Sequence, residues 1–342
     1  MSSPWPDSFG VFPRLAPGSP QLWALVLAGG DGTRLQPLTR RITGDGRPKQ
    51  FCDLTGSGTL LQETVRRITP LVPPSRQVVS LTRDHARYYE PLIGESGGCA
   101  GVQPVVQPEN RGTALGVLYP ALRVAAVDPR GTIAIFPSDH FVTPAERFLD
   151  AVAGAAATVE RHPDTMVLLG ILPSHPETQY GWIEPGEALG LPPREAVRRV
   201  RRFVEKPRLP LAREMLRAGW LWNTLVIVSK LDRLLSLALI HLPRVMRPLL
   251  RACETPGDAA AEAVRDVYAA ARPANLSRDL LEHARGALGV LEVGGVTWSD
   301  WGTPRRVVST LTRLGQRPDW MTDDLRADLA LRRRPQRMRD VS

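Results

Sequence analysis

The chain has 342 residues, 43% of them hydrophobic, and a formal net charge of +9. That length can bury a large core, as one large domain with room for a smaller one, and no apolar run approaches the roughly 18 residues of a bilayer span. Cys52, Cys99 and Cys253 lie far apart without C-x-x-C spacing, and the six histidines are scattered, which argues against a structural metal and for a reducing, cytoplasmic setting.

Residues 1–20 are proline-rich, lack the basic start and apolar core of a signal peptide, and read as an irregular lead-in. LWALVLA (22–28) is predicted to be a buried strand that feeds the turn GGDGTRL. LLQETVRRI (60–68) has helical spacing, QVVSLT (77–82) is a second strand, and 84–93 is helical. A strand over 101–108 precedes an apolar-faced helix over 113–127, which Pro120 is expected to interrupt, and then strand 131–139. Strands alternating with helices call for right-handed crossovers and a mostly parallel sheet, whose ligands lie outside the carboxyl ends of the strands. Beyond this point follow helix 146–160, strand 165–171, a polar segment with PETQYGWIEP, and VRRVRRFVEKP (197–207), which alternates like a strand. Helix 208–220, strand 222–230, a largely helical stretch over 231–285, a strand and turn over 290–304 and helix 304–314 complete the pattern. No internal repeat is found. The expected organisation is a lead-in (1–20), a core (21–230), a mostly helical C-terminal part (231–325) and a basic, flexible tail (326–342).

Much of the positive charge sits in RRVRR (198–202) and LRRRPQRMR (331–339). Nucleic-acid binding is not expected, since no zinc-finger spacing or RNA-binding aromatic motif accompanies it, and a face that attracts small anions is the more ordinary reading.

The glycine turn is G-G-x-G-T-R, which is neither the dinucleotide fingerprint nor a Walker run. Gly29, Gly30 and Gly32 let backbone amides surround an anion, and Arg34 and Lys49 supply charge. Asp139 in FPSDH and Asp300 in TWSDWGTP each follow an apolar run. Either can be a turn or capping residue; converging, they would suit Mg²⁺. Lys206 in FVEKP ends another strand, and His140 is expected to take a hydrogen-bonding role. Phosphate cradle, cations and carboxylates together imply phosphoryl or nucleotidyl transfer, in which an already ionised phosphate needs no general base.

The runs LAGGDGTRLQPLT (27–39), RPKQF (47–51), VVQPENRGTALG (105–116), FPSDH (136–140), GILPSHPETQYGWIE (170–184), FVEKP (203–207), LWNT (221–224) and WSDWGTP (298–304) occur in that order. Their ordered set resembles the sugar-phosphate nucleotidyltransferases, and PKQF and PETQYGWIE the mannose-1-phosphate guanylyltransferase branch. The resemblance implies a Rossmann-like α/β fold with a mostly parallel mixed sheet flanked by helices, plus helical and short-strand C-terminal additions. A cupin domain, carried by bifunctional bacterial members, is not expected. The implied reaction joins GTP to mannose 1-phosphate, giving GDP-mannose and pyrophosphate with Mg²⁺, and the assembly could be a homodimer.

By the same resemblance Leu27, Ala28, Gly29, Gly30, Gly32, Thr33 and Arg34 would hold the triphosphate, and Gln107, Glu109, Asn110, Gly112 and Thr113 the base and ribose. Lys49 would meet the transferring phosphate, with Asp139 and Asp300 on the metal. Gly181, Glu184, Glu205, Lys206 and Asn223 would surround the sugar phosphate. Two departures stand out: the run after LWNT lacks the glycine-containing SGMF-like continuation, and ALGVLYPA replaces a helix of smaller residues. UTP or dTTP with another hexose 1-phosphate, and a catalytically weak regulatory subunit, are the competing readings.

Overall fold

The computed structural model describes residues 21–190, 197–257 and 259–325; the expected lead-in and basic tail lie outside them. In chain order the elements are β1 (Leu22–Leu27), α1 (Gln36–Thr43), α2 (Leu60–Ile68), β2 (Gln77–Thr82), α3 (Ala86–Ile93), β3 (Gln103–Gln107), α4 (Thr113–Ala125), β4 (Thr132–Pro137) and β5 (Phe141–Thr143). There follow α5 (Ala145–Arg161), β6 (Met166–Ile171), β7 (Gly181–Ala188), β8 (Val197–Glu205), α6 (Leu209–Arg217) and β9 (Leu221–Lys230). The C-terminal part supplies α7 (Leu231–His241), α8 (Pro243–Glu254), α9 (Ala259–Ala270), β10 (Leu288–Glu292), β11 (Thr297–Ser299) and α10 (Pro304–Arg313).

A nine-stranded sheet runs β3-β2-β1-β4-β9-β6-β10-β8-β7, and β11 pairs separately with β5. The sheet is mixed. Pairing is parallel from β3 through β4 and between β6 and β10, and antiparallel wherever β7, β8 or β9 takes part with its other neighbours. β1 pairs with β2 and β4 along its two edges, and its faces enter two different core clusters, Trp23 and Leu25 in one and Ala24 and Val26 in the other, which is why it is apolar at every position. One core cluster packs α4, α7 and α8 on one face; a second packs α2 and α5 on the other. A third, smaller cluster around Trp301 joins the α1 region to α10.

Local chemistry explains several ends. Thr59 and Gln62 close a reciprocal capping box at the start of α2. Helix α1, unmarked by the sequence reading, starts with Pro37 in its first turn and stops at Gly44, whose φ is +80°. Contrary to expectation, Pro120 does not interrupt α4. Proline leaves the carbonyl four residues back without its helical donor; here the Ser80 hydroxyl donates to the Gly116 carbonyl at 2.7 Å instead.

Strand β8 does not alternate simply either. Val197, Val200 and Phe203 are buried with two exposed arginines between each pair. Glu184 faces Arg202 while Pro185 faces Val200, so Arg201 is the extra residue of a bulge that resets the pleat. The polar segment after β6 also ends in a strand, β7, which the sequence reading left unassigned. The stretch 290–304 divides between β10 in the main sheet and β11 in the small one. No helix among the described residues is long and apolar enough to cross a membrane. Cys52, Cys99 and Cys253 are buried and unbridged.

Candidate active site

The glycine turn leaves the carboxyl end of β1, an inner strand of the parallel part of the sheet, where parallel strands open onto a crevice. Its shape is set by side chains from elsewhere. Gln50 donates from Nε2 to the carbonyls of Ala28 (3.0 Å) and Gly30 (2.7 Å). The Thr82 hydroxyl donates to the Gly29 carbonyl at 3.0 Å. Asp31 accepts from Asn110 at 3.0 Å and lies 3.3 Å from His85 Nε2. A Cβ on Gly29 would stand 2.7 Å from Thr82 Oγ1 and 2.8 Å from Gln107 Nε2, so no side chain fits there without displacement. Gly32 has φ +58° and lies against the Lys49 backbone.

Beside this turn opens a cavity of 430 Å³. Leu27, Gly29, Gly30, Gln107, Asn110, Gly112 and Thr113 all border it. Gln107 is pinned on one side by Nε2 donation to Ser80 Oγ at 3.1 Å and on the other by the Tyr268 hydroxyl, which donates to its Oε1 at 3.3 Å. Ala28 is buried and Thr33 and Arg34 are exposed on the short turn before α1. Glu109 does not line the cavity and pairs with Arg111 at 2.7 Å. Asn275 and Arg278, unforeseen from sequence, complete the far wall. They follow α9, and the backbone amide of Ala114 reaches across to the Ala274 carbonyl at 3.0 Å. No local motif marks this segment, because its role comes from the return of the chain and not from residue spacing.

Lys49, 7% exposed, is the hub between the two halves of the chain. Its ammonium lies 3.1 Å from the Asp139 carboxylate and donates to the main-chain carbonyls of Asp300 and Trp301. Asp139 and Asp300, 161 positions apart by numbering (300 − 139), are therefore brought to one centre. Asp300 is held firmly: Oδ1 accepts from Tyr180 Oη (2.8 Å), the Gly302 amide (2.9 Å) and Arg306 (2.8 Å). Burial alone would raise the Asp300 carboxyl, but the positive charges of Arg306 and Lys49 prevail and hold it below the usual range. His140 meets the expected hydrogen-bonding role only loosely, with Nε2 3.7 Å from the Asp139 carboxylate. Its Nδ1 is buried without a partner, the ring meets Trp298 edge-on, and burial pushes its pKa down to about 4, so it is neutral at pH 7.

No cluster of three or more His, Cys, Asp or Glu residues that could cage a metal exists among the described residues. The pair Asp139 and Asp300 nevertheless fits Mg²⁺, which binds through one or two carboxylates and completes its shell with phosphates and waters. Asp300 Oδ2 accepts no hydrogen bond among the described residues and is open to such a role.

A third group forms where β7, β8 and β9 meet. Gly181 faces Glu205 across the β7–β8 ladder, and a Cβ on Gly181 would stand 2.8 Å from Glu205 Oε2 and 3.2 Å from Asn223 Cβ. Lys206, with φ +50°, pairs with Glu205 at 3.7 Å. Burial raises the Glu205 carboxyl, while Lys206 pulls it back. Glu184 does not join them: the strand pleat sends it to the opposite face from Gly181, and Arg202 binds its carboxylate at 2.5 Å. Leu225 stands in the run expected to carry a glycine, and its φ is +59°.

A family model for nucleotidyl transferases matches residues 23–314. The chain belongs to the nucleotidyl transferase family. This nucleotidyl transferase is 34% identical over 213 residues to the alginate biosynthesis protein AlgA of Pseudomonas aeruginosa, covering 62% of the chain and 42% of that protein. It is 29% identical over 238 residues to a mannose-1-phosphate guanylyltransferase of Escherichia coli, covering 67% and 48%. The chain thus spans less than half the length of these curated relatives. Among solved structures, one from Thermus thermophilus, described as a mannose-1-phosphate geranyltransferase, superposes with a TM-score of 0.71 at 31% identity, covering 84% of this chain and 79% of that one. The α/β Rossmann-like core with its mixed sheet, flanking helices and C-terminal additions is the architecture of this family.

Proposed function

We propose that this nucleotidyl transferase joins GTP to α-D-mannose 1-phosphate, forming GDP-mannose and releasing pyrophosphate. The observation that carries the reading is the Lys49 hub: a buried ammonium that meets the Asp139 carboxylate and the Asp300 carbonyl, beside a glycine turn opening on a 430 Å³ cavity. The base and ribose occupy that cavity, between Gln107, Asn110, Gly112 and Thr113. Leu27, Ala28 and the turn amides at Gly29, Gly30, Gly32 and Thr33 face the triphosphate, and Arg34, exposed on its long stem, neutralises the departing pyrophosphate. Gly181, Glu205, Lys206 and Asn223 hold the sugar phosphate, with Glu184 outside this group.

The attacking group is a phosphate oxygen, ionised at neutral pH, so the task is alignment and charge neutralisation. Lys49 meets the transferring phosphate. Its low exposure keeps water from weakening that interaction. Asp139 and Asp300 would hold Mg²⁺, which when bound offsets the charge of the phosphate oxygens. A neutral His140 adds no competing positive charge beside Asp139. The mannose and guanine assignments draw on relatives named for mannose 1-phosphate.

Pyrophosphate release across a matrix of nucleoside triphosphates and sugar 1-phosphates with Mg²⁺ tests the proposal. GTP with mannose 1-phosphate should give the highest kcat/KM. Faster turnover of UTP or dTTP with another hexose 1-phosphate would replace the substrates, and no turnover with any pair would leave a nucleotide-sugar-binding role.

A further inference from the structure

Arg306 and Tyr180, which both bind Asp300, also line a second cavity of 660 Å³ that none of the proposed substrate-binding residues lines. Helix α10 supplies one wall with Arg305, Arg306 and Arg313; the segment before β7 supplies Glu177 and Tyr180; β9 and β11 supply Trp222 and Trp298. Arg306 is already committed, since it pairs with Asp300 at 2.8 Å and also with Glu177. Arg305 and Arg313 are exposed and make no ion pair among the described residues. The cavity therefore carries two uncompensated guanidiniums, groups whose planar donor fork suits phosphate.

The remaining wall is unlike a simple surface patch. Trp222 is only 5% exposed, yet its indole Nε1 is buried without an acceptor. Tyr180 and Trp298 pack edge-on against each other beside it. Aromatic side chains that combine an apolar body with a polar tip, next to the Ser309 hydroxyl on α10, suit a ring bearing hydroxyl groups.

We propose that this cavity is a second ligand site, distinct from the substrate crevice, that takes a phosphorylated sugar. The phosphate lies between Arg305 and Arg313, and the sugar ring lies toward Trp222 and Trp298. Because Arg306 lines the cavity and also grips Asp300, occupancy is sensed one residue away from the proposed metal site.

The test uses glucose 6-phosphate, whose phosphate is not on the anomeric carbon, so it cannot serve as a sugar 1-phosphate substrate. Titration calorimetry on the full chain should show saturable binding, at least tenfold tighter than inorganic phosphate, with unphosphorylated glucose giving no signal. The R305A/R313A double variant should weaken binding at least tenfold while leaving pyrophosphate release without the ligand unchanged. S309W, which obstructs the same cavity from an exposed position, should do likewise, and circular dichroism checks that both variants are folded. Absence of glucose 6-phosphate binding, or equal binding by wild type and both variants, overturns the site. Inorganic phosphate binding as tightly as glucose 6-phosphate overturns the sugar part.

Discussion

The Lys49 ammonium donates to the main-chain carbonyl of Asp300 across 251 positions of sequence. The contact ties the loop after α1 to the turn after β11, and it fixes where a cation sits relative to both candidate metal carboxylates. Replacing Lys49 by Met keeps the stem and removes the charge. If Lys49 neutralises the transferring phosphate, kcat should fall by about 10²- to 10³-fold, the usual loss for one preorganised electrostatic donor. The substrate KM values should change far less. A kcat within threefold of wild type in a folded K49M protein would remove Lys49 from the reaction.

Asp300 gives a prediction in two parts. D300N should lower Mg²⁺-dependent turnover at least a hundredfold and raise the Mg²⁺ concentration for half-maximal rate. Its pKa is depressed in the folded state by Arg306 and Lys49 against burial, so its ionisation stabilises the fold above the unfolded value of about 3.9. That stabilisation is lost as pH falls below 3.9 through the lowered folded value. The Tm gap between wild type and D300N should be widest near pH 6 and shrink toward pH 3; a constant gap would contradict the linkage.

Two neighbouring glycines should respond differently to alanine. G29A drives a methyl into Thr82 and the pinned Gln107 at 2.7 and 2.8 Å, whereas a methyl at Gly30 meets nothing within 4 Å. G29A should lose about 1–3 kcal/mol of stability, the usual overpacking cost, and raise the nucleotide KM. G30A should fold as stably as wild type, so any effect of it is confined to nucleotide binding. Thermal melts of both variants decide this.

Leu225 reverses a familiar order. Glycine in a strand is usually less stable than alanine, but a φ of +59° strains every residue with a Cβ. L225G and L225A lose similar packing and only L225G relieves the strain. L225G should therefore be more stable than L225A by about 1 kcal/mol, measured by urea denaturation.

Arg278 borders the cavity proposed to take the nucleotide and is held by Asp279 at 2.7 Å. R278A should raise the nucleotide KM about tenfold with kcat nearly unchanged, and narrow the preference among bases. An unaltered KM for every nucleotide would make it a surface ion pair.

Much of this was legible in the sequence because it is local. The run LWALVL is apolar throughout and became an inner strand, and the helical spacing of LLQETVRRI became α2 with the same bounds. The glycine turn could be read because its chemistry lies in adjacent residues. Pro120 misled because its remedy, Ser80, comes from another element. Glu184 and Glu109 sit in recognisable motifs, yet Arg202 and Arg111 bind their carboxylates, and motif spacing carries no information on such partners. Asn275 and Arg278 reach the cavity through a long helical excursion with no signature of its own. Gln50 sits in the PKQF run used to choose among branches, and its side chain braces the glycine turn from behind.

The position of β10 has a consequence for how the protein is made. This strand lies between β6 and β8 and is supplied by Leu288–Glu292, long after both in sequence. During synthesis, β6 and β8 both emerge well before the strand that separates them. Until it arrives, each keeps an unsatisfied backbone edge, the kind of surface that recruits foreign strands. Closure of the sheet is thus a late event in synthesis, and a ribosome stalled before Leu288 would hold a nascent chain prone to aggregation.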